Sequence, residues 1–283
     1  MRSIALPALL TTIAAFAQPQ APAWSAEEQP ILAQLRTLRA LPDDKRGEVT
    51  RRLAQTIRKL VSPGQLRLAT NLTGLSTEGD FGKSTLQEVG ATLAAALERT
   101  PPPPDKPGVP AMPYIYLAQL IRYEHVQIAF DSPQLKAAFA KLDSDDQRRR
   151  DANFTLKDLT GKSWTLRDLK GSIVLVNFWA TWCPPCRKEM PDLDSLYHRF
   201  SKKGLVILSL SDEAEATVKA FLADKHYTYP ILLDPDKKVH EAFGIEGLPR
   251  SFVYDRNGKL IAQAVDMRTM NQFVQMLREA GLQ

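Results

Sequence analysis

Two cysteines, Cys183 and Cys186, are the only ones in the 283-residue chain, and two prolines separate them in Trp182-Cys183-Pro184-Pro185-Cys186. A thiol pair at this spacing can exchange electrons by opening and closing a disulfide, or it can supply two ligands of a metal ion. Structural zinc needs about four nitrogen or sulfur ligands. No further cysteine exists, and His125, His198, His226 and His240 show no ligand spacing. The residues therefore favour redox chemistry. A bond across two intervening residues closes too short a loop to act mainly as a clamp.

The elements that must position the pair lie on either side of it. Ile173-Val174-Leu175-Val176-Asn177-Phe178 is a β-branched apolar run that reads as a buried strand, and the cysteines come next at the start of a helix. At a helix start the unsatisfied N–H groups and the macrodipole favour a thiolate, which makes Cys183 the expected nucleophile and Cys186 the resolving thiol. Pro184 and Pro185 offer no N–H, so the amide of Cys186 becomes the chief local donor to Cys183. The expectation is a smaller fall in thiol pKa than in strongly oxidising relatives, and with it a site inclined to be reducing. Glu189 stands three residues after Cys186, on the same helical face, where a partly buried carboxylate could take the proton of Cys186. Its bland alternative is a solvated glutamate beside Arg187 and Lys188.

Phe178-Trp179-Ala180-Thr181-Trp182-Cys183-Pro184-Pro185-Cys186 resembles the active-site signature of the thioredoxin superfamily, specifically of the TlpA/ResA-type exported thiol-disulfide oxidoreductases. The resemblance covers about the last 130 residues, the size of one domain. It implies an α/β fold over 151–283, a thioredoxin-like C-terminal domain with a central mixed sheet flanked by helices. It also implies a cis bond between Leu248 and Pro249, which leaves the backbone of Leu248 free to pair with an extended client strand. Trp182, Leu248 and Pro249 are then the expected substrate-binding residues, and Glu189 matches the glutamate of a Cys-x-x-Cys-x-x-Glu pattern. Asn177 stands where thioredoxin carries a buried aspartate, which leaves Glu189 the better proton acceptor. The implied partners are disulfide-bearing client proteins and a membrane-bound upstream electron donor, with a place in cell redox homeostasis and cytochrome c maturation. No cofactor is implied.

The remainder is consistent with an exported protein. Arg2 precedes an apolar stretch from Ile4 to Ala17, and Ala15-Phe16-Ala17 has the small-x-small form of a cleavage site, so residues 1–17 read as a signal peptide. The expected location is the periplasm, the alternative being an uncleaved membrane anchor. The net charge of +5 is spread among acids rather than gathered on one stripe, which gives no indication of nucleic-acid binding.

Residues 25–148 read as an all-helical N-terminal domain that resembles no family. Helical spacing predicts a hairpin over 29–60 with Pro42-Asp43-Asp44 between its arms, a helix over Leu86 to Leu97, and helices over Tyr114 to Ile128 and Gln134 to Leu142. Gly82-Lys83-Ser84 lacks the earlier glycine of a phosphate-binding loop, having Thr77 there, and reads as a helix start. The prolines 101–104 predict a stiff connector, and Arg148-Arg149-Arg150 a solvated junction. Further on, a hairpin turning at Thr160-Gly161-Lys162 leads into alternating strands and helices with parallel pairing. A strand pair turning at Arg256-Asn257-Gly258 and a closing helix from Met270 to Leu282 complete the chain. Two other functions fit the fold: a peroxiredoxin-type peroxidase, although its Thr-x-x-Cys motif is absent because Thr181 precedes Cys183 by two residues, and a non-catalytic binding module on a thioredoxin scaffold.

Overall fold

The computed structural model describes residues 23–283; the expected signal peptide lies outside them. Six helices come first: α1 (Gln29–Thr37), α2 (Asp43–Lys59), α3 (Gln65–Ser76), α4 (Lys83–Arg99), α5 (Met112–Tyr123) and α6 (Pro133–Asp151). Each turns an apolar stripe inward, and Leu38, Leu53, Ile57, Leu68, Leu72, Leu93, Leu97 and Leu117 form one dry core.

Helix α3 is absent from the sequence prediction. Its hydroxyl residues hide the apolar spacing and are accommodated by bonding back along the helix, Thr70 Oγ1 to the Leu66 carbonyl at 2.7 Å and Thr73 Oγ1 to Ala69 at 2.9 Å. Helix α5 stops at Tyr123 rather than at Ile128. Beyond it, Gln87 of α4 pairs with the extended backbone of Gln127 through both its amide oxygen and its amide nitrogen. Helix α6 runs nine residues past the predicted Leu142. Its Arg148-Arg149-Arg150 run is not a solvated junction: Arg149 is 5% exposed, lies over the Phe252 ring and donates to the Phe243 carbonyl at 3.0 Å and to Gln263 Oε1 at 2.9 Å. The run is the seam between the helical region and the C-terminal α/β region.

That second region starts with a hairpin, β1 (Thr155–Lys157) and β2 (Ser163–Thr165), whose turn is organised by Asp158 accepting from Thr160 and Lys162 amides. Then come β3 (Ile173–Phe178), α7 (Pro184–Phe200), β4 (Leu205–Ser211), α8 (Glu215–Leu222), β5 (Ile231–Leu233), α9 (Lys238–Phe243), β6 (Arg250–Tyr254), β7 (Leu260–Ala264) and α10 (Met270–Glu279). The sheet order is β5-β4-β3-β6-β7. β3 is parallel to β4 and antiparallel to β6, so the sheet is mixed, as expected. Every side chain of β3 is buried because helices cover both faces. One face packs Leu175, Leu193, Leu196, Val253, Phe273 and Leu277; the other packs Val176, Phe178, Phe243 and Phe252. Strand β3 ends at the centre of this sandwich, and its continuation delivers the two cysteines.

Candidate active site

After β3 the chain passes through Trp179, fully buried, to Trp182, which is 68% exposed. Cys183 then caps α7, with Pro184 and Pro185 in the first turn, where a missing N–H costs no intrahelical bond. Cys183 and Cys186 are joined by a disulfide, with Cα atoms 5.3 Å apart. As expected from the two prolines, the Cys186 amide donates to Cys183 Sγ, at 3.3 Å. Cys186 is fully buried and Cys183 is 2% exposed, flanked by exposed Trp182 and Pro184. The oxidised form therefore presents almost nothing of either cysteine to solvent, and what is exposed belongs to Cys183.

Along α7 the buried positions run Cys186, Glu189, Met190, Leu193, Leu196 and Phe200, one continuous inward face. Glu189 is thus a core residue at 1% exposure, not a solvated one. Its Oε1 accepts from Asn177 Nδ2 at 2.8 Å and its Oε2 from the Arg268 amide at 3.1 Å. Asn177 is held in turn: its Nδ2 also donates to Ser251 Oγ and its Oδ1 accepts from Ser209 Oγ, both at 3.1 Å. The carboxyl is pushed up to about 8, chiefly by burial; the two donors oppose the shift and the neighbouring Asp266 adds to it.

The Leu248–Pro249 bond is cis. Leu248 and Pro185 line one cavity of about 210 Å³, whose far wall belongs to the helical region through Thr77, Met112 and Tyr116. The helical region also reaches the segment that holds Glu189. Thr77 Oγ1 donates to Asp266 Oδ2 at 3.3 Å, and Glu124 forms an ion pair with Arg268. Both partners in that pair are nearly buried. Asp266 is itself raised to about 7, first by burial and then by Glu78. Sequence reasoning did not find Arg268, Asp266, Glu124 or Thr77, and no local signal marks them, because their relation to the dithiol arises from packing alone. Thr181 is engaged by Glu213, which accepts from its amide at 2.6 Å and from its hydroxyl at 2.7 Å.

A family model described as "AhpC/TSA family" matches residues 149–263. "Thiol-disulfide oxidoreductase ResA" of Bacillus anthracis is 39% identical over 128 residues, which cover 45% of this chain and 74% of that protein. The protein of the same name from Bacillus subtilis (strain 168) is 36% identical over 126 residues, 44% of this chain and 70% of its own. Among solved structures, a putative thiol:disulfide interchange protein DsbE from Chlorobium tepidum is 30% identical and covers 46% of this chain and 93% of its own, with a TM-score of 0.43. The chemistry open to the dithiol, two electrons exchanged with a disulfide-bearing substrate, agrees with what the ResA relatives are called. On that likeness, which spans most of each relative's length, the chain belongs to the ResA-type thiol-disulfide oxidoreductases of the thioredoxin superfamily.

Proposed function

We propose that the protein is an exported disulfide reductase in which Cys183 attacks, Cys186 resolves and Glu189 receives the proton of Cys186. The carrying observation is the dithiol joined at the head of α7 with a buried carboxyl one turn further along the same face. In the reduced enzyme the Cys183 thiolate attacks a client disulfide; a mixed disulfide forms and one client sulfur leaves as thiolate. Cys186 then gives its proton to Glu189 and attacks Cys183. The second client sulfur is released and the Cys183–Cys186 bond forms, so two electrons pass to the client. Resolution needs Glu189 ionised. A carboxyl near 8 closely matches a thiol of ordinary pKa about 8.5, so transfer between them is nearly isoenergetic.

Trp182 offers an exposed flat contact beside the cysteines, and the Leu248-Pro249 segment an unpaired backbone edge for an extended client. The leader at residues 1–17 would carry the chain to the periplasm. There a membrane-bound donor would have to return the electrons, and apocytochrome thiols are a fitting product for such a reductase. The test is capture. Cys186→Ser should hold clients on Cys183 as mixed disulfides in the exported fraction, whereas Cys183→Ser should hold none. Peroxide consumption that survives Cys186→Ser, with no client captured, would replace this reading by a peroxidase.

A further inference from the structure

The cavity beside the dithiol contains a charge that the protein does not neutralise. Arg250 is the first residue of β6, directly after the cis Leu248–Pro249 bond, and its side chain lines the cavity together with Pro185, Leu248 and Tyr116. The carboxylates along the same walls are committed elsewhere. Glu78 is paired with Arg39 and Arg46, Glu246 with Lys141 at 3.0 Å, and Asp266 takes the Thr77 hydroxyl and, at 2.8 Å, the Met267 amide. The guanidinium of Arg250 has no hydrogen bond and no carboxylate within 4.0 Å among the described residues. Burial and the nearby Arg149 both disfavour its charge, only partly offset by Asp266, Tyr123 and Glu246. A half-buried guanidinium without a partner is costly, and a planar fork of donors is suited to a carboxylate.

We propose that this cavity is a subsite for the client segment beside its reacting cysteine, and that Arg250 selects segments carrying an acidic side chain there. The inference rests on the reductase reading and names the class of client. A strand laid along the Leu248 edge advances about 3.3 Å per residue, so an aspartate or glutamate within about three residues of the client cysteine can reach Arg250. The helical region supplies the opposite wall, so a client must enter as a narrow extended segment rather than as a folded surface.

The test uses synthetic peptides whose single cysteine is joined to thionitrobenzoate, with Glu or Gln scanned through the three positions on each side. Attack by the reduced protein on the peptide sulfur releases coloured thionitrobenzoate. At one position the wild type should prefer Glu by about tenfold in second-order rate, the size of one charge-assisted hydrogen bond. Added salt should shrink the preference, Arg250→Gln should bring the ratio near one, and Arg250→Lys should restore part of it. A Glu/Gln ratio below about twofold at every position overturns the subsite, as does a preference that survives Arg250→Gln. Matching peptides with serine for cysteine, titrated by fluorescence anisotropy against the oxidised protein, read the subsite without chemistry. A Glu preference in binding with no thionitrobenzoate release would keep the subsite and sink the reductase reading; release without any preference would do the reverse.

Discussion

Two buried glutamates mark the difference between the halves of the molecule. Glu78, in the helical region, is 3% exposed and lies between two guanidiniums, with Arg46 Nη2 at 2.8 Å and Arg39 Nε at 2.9 Å from its Oε2. Glu189, in the thioredoxin-like half, is as deeply buried but meets only an amide side chain and a backbone N–H. The same residue type is neutralised by cations in one place and left to be neutralised by a proton in the other. A buried ion pair locks a structure, whereas a buried carboxyl with neutral donors remains able to titrate near neutral pH. The helical region's glutamate is thus a packing element, and the thioredoxin-like half's glutamate is available for chemistry.

Four experiments would break or sharpen this contrast. The largest effect is expected from Arg46→Met, which leaves Glu78 buried with one guanidinium; chemical denaturation should show a loss of about 3 kcal/mol, while the folded fraction keeps its exchange rate within about twofold. A fall in that rate to a tenth would mean that Glu78 takes part in the chemistry. Next, Glu189→Gln should slow resolution of a preformed mixed disulfide about 10²-fold in stopped-flow, the size of a lost general base. The wild-type rate should climb with pH up to about 8 and then level, and that climb should vanish in the variant.

The same group links stability to pH. Its folded pKa is raised, so the folded state holds a proton that the unfolded state has released between about 4.5 and about 8, and stability falls across that window as pH rises. Melting curves should show Glu189→Gln removing a slope of about 1.4 kcal/mol per pH unit inside this window, with a remainder between about 4 and about 7 from Asp266. A slope unchanged by the substitution would place the titrating proton elsewhere. Third, after reduction, Cys183 should alkylate roughly tenfold faster than Cys186, since it caps α7 while Cys186 is fully buried. Equal rates, measured by peptide mass spectrometry, would remove the asymmetry between nucleophile and resolving thiol. The smallest effect is expected at Lys188 and Asp43, an ion pair across the halves at 2.7 Å whose side chains are half exposed. Lys188→Ala should cost under about 1 kcal/mol, because water already screens the pair.

The contrast also separates features that can be read along a chain from those that cannot. Strand β3, the dithiol, the proline-rich first turn of α7 and the position of Glu189 are local patterns, and they appear where the sequence puts them. Most of the helices before residue 152 show their apolar stripe clearly in the sequence, but that of α3 is masked, because buried Thr73 and Ser76 look like loop residues until their hydroxyls are seen bonded to the preceding turn. Arg149 reads as a solvent-facing member of a basic run; only the arrival of Phe243, Phe252 and Gln263 from residues far along the chain converts it into a buried tie.

The order of residues alone determined the dithiol and the side of the helix on which Glu189 would lie, since each depends on contacts within one or two turns of chain; the class of fold was legible only through the likeness of residues 178–186 to the thioredoxin superfamily signature. Tertiary structure decided how deeply Glu189 is buried, which backbone amide holds it and which arginine is left without an anion beside the cis-proline. Those properties are set by desolvation and by partners between 12 and 79 residues away, and the spacing of nearby residues carries no record of either.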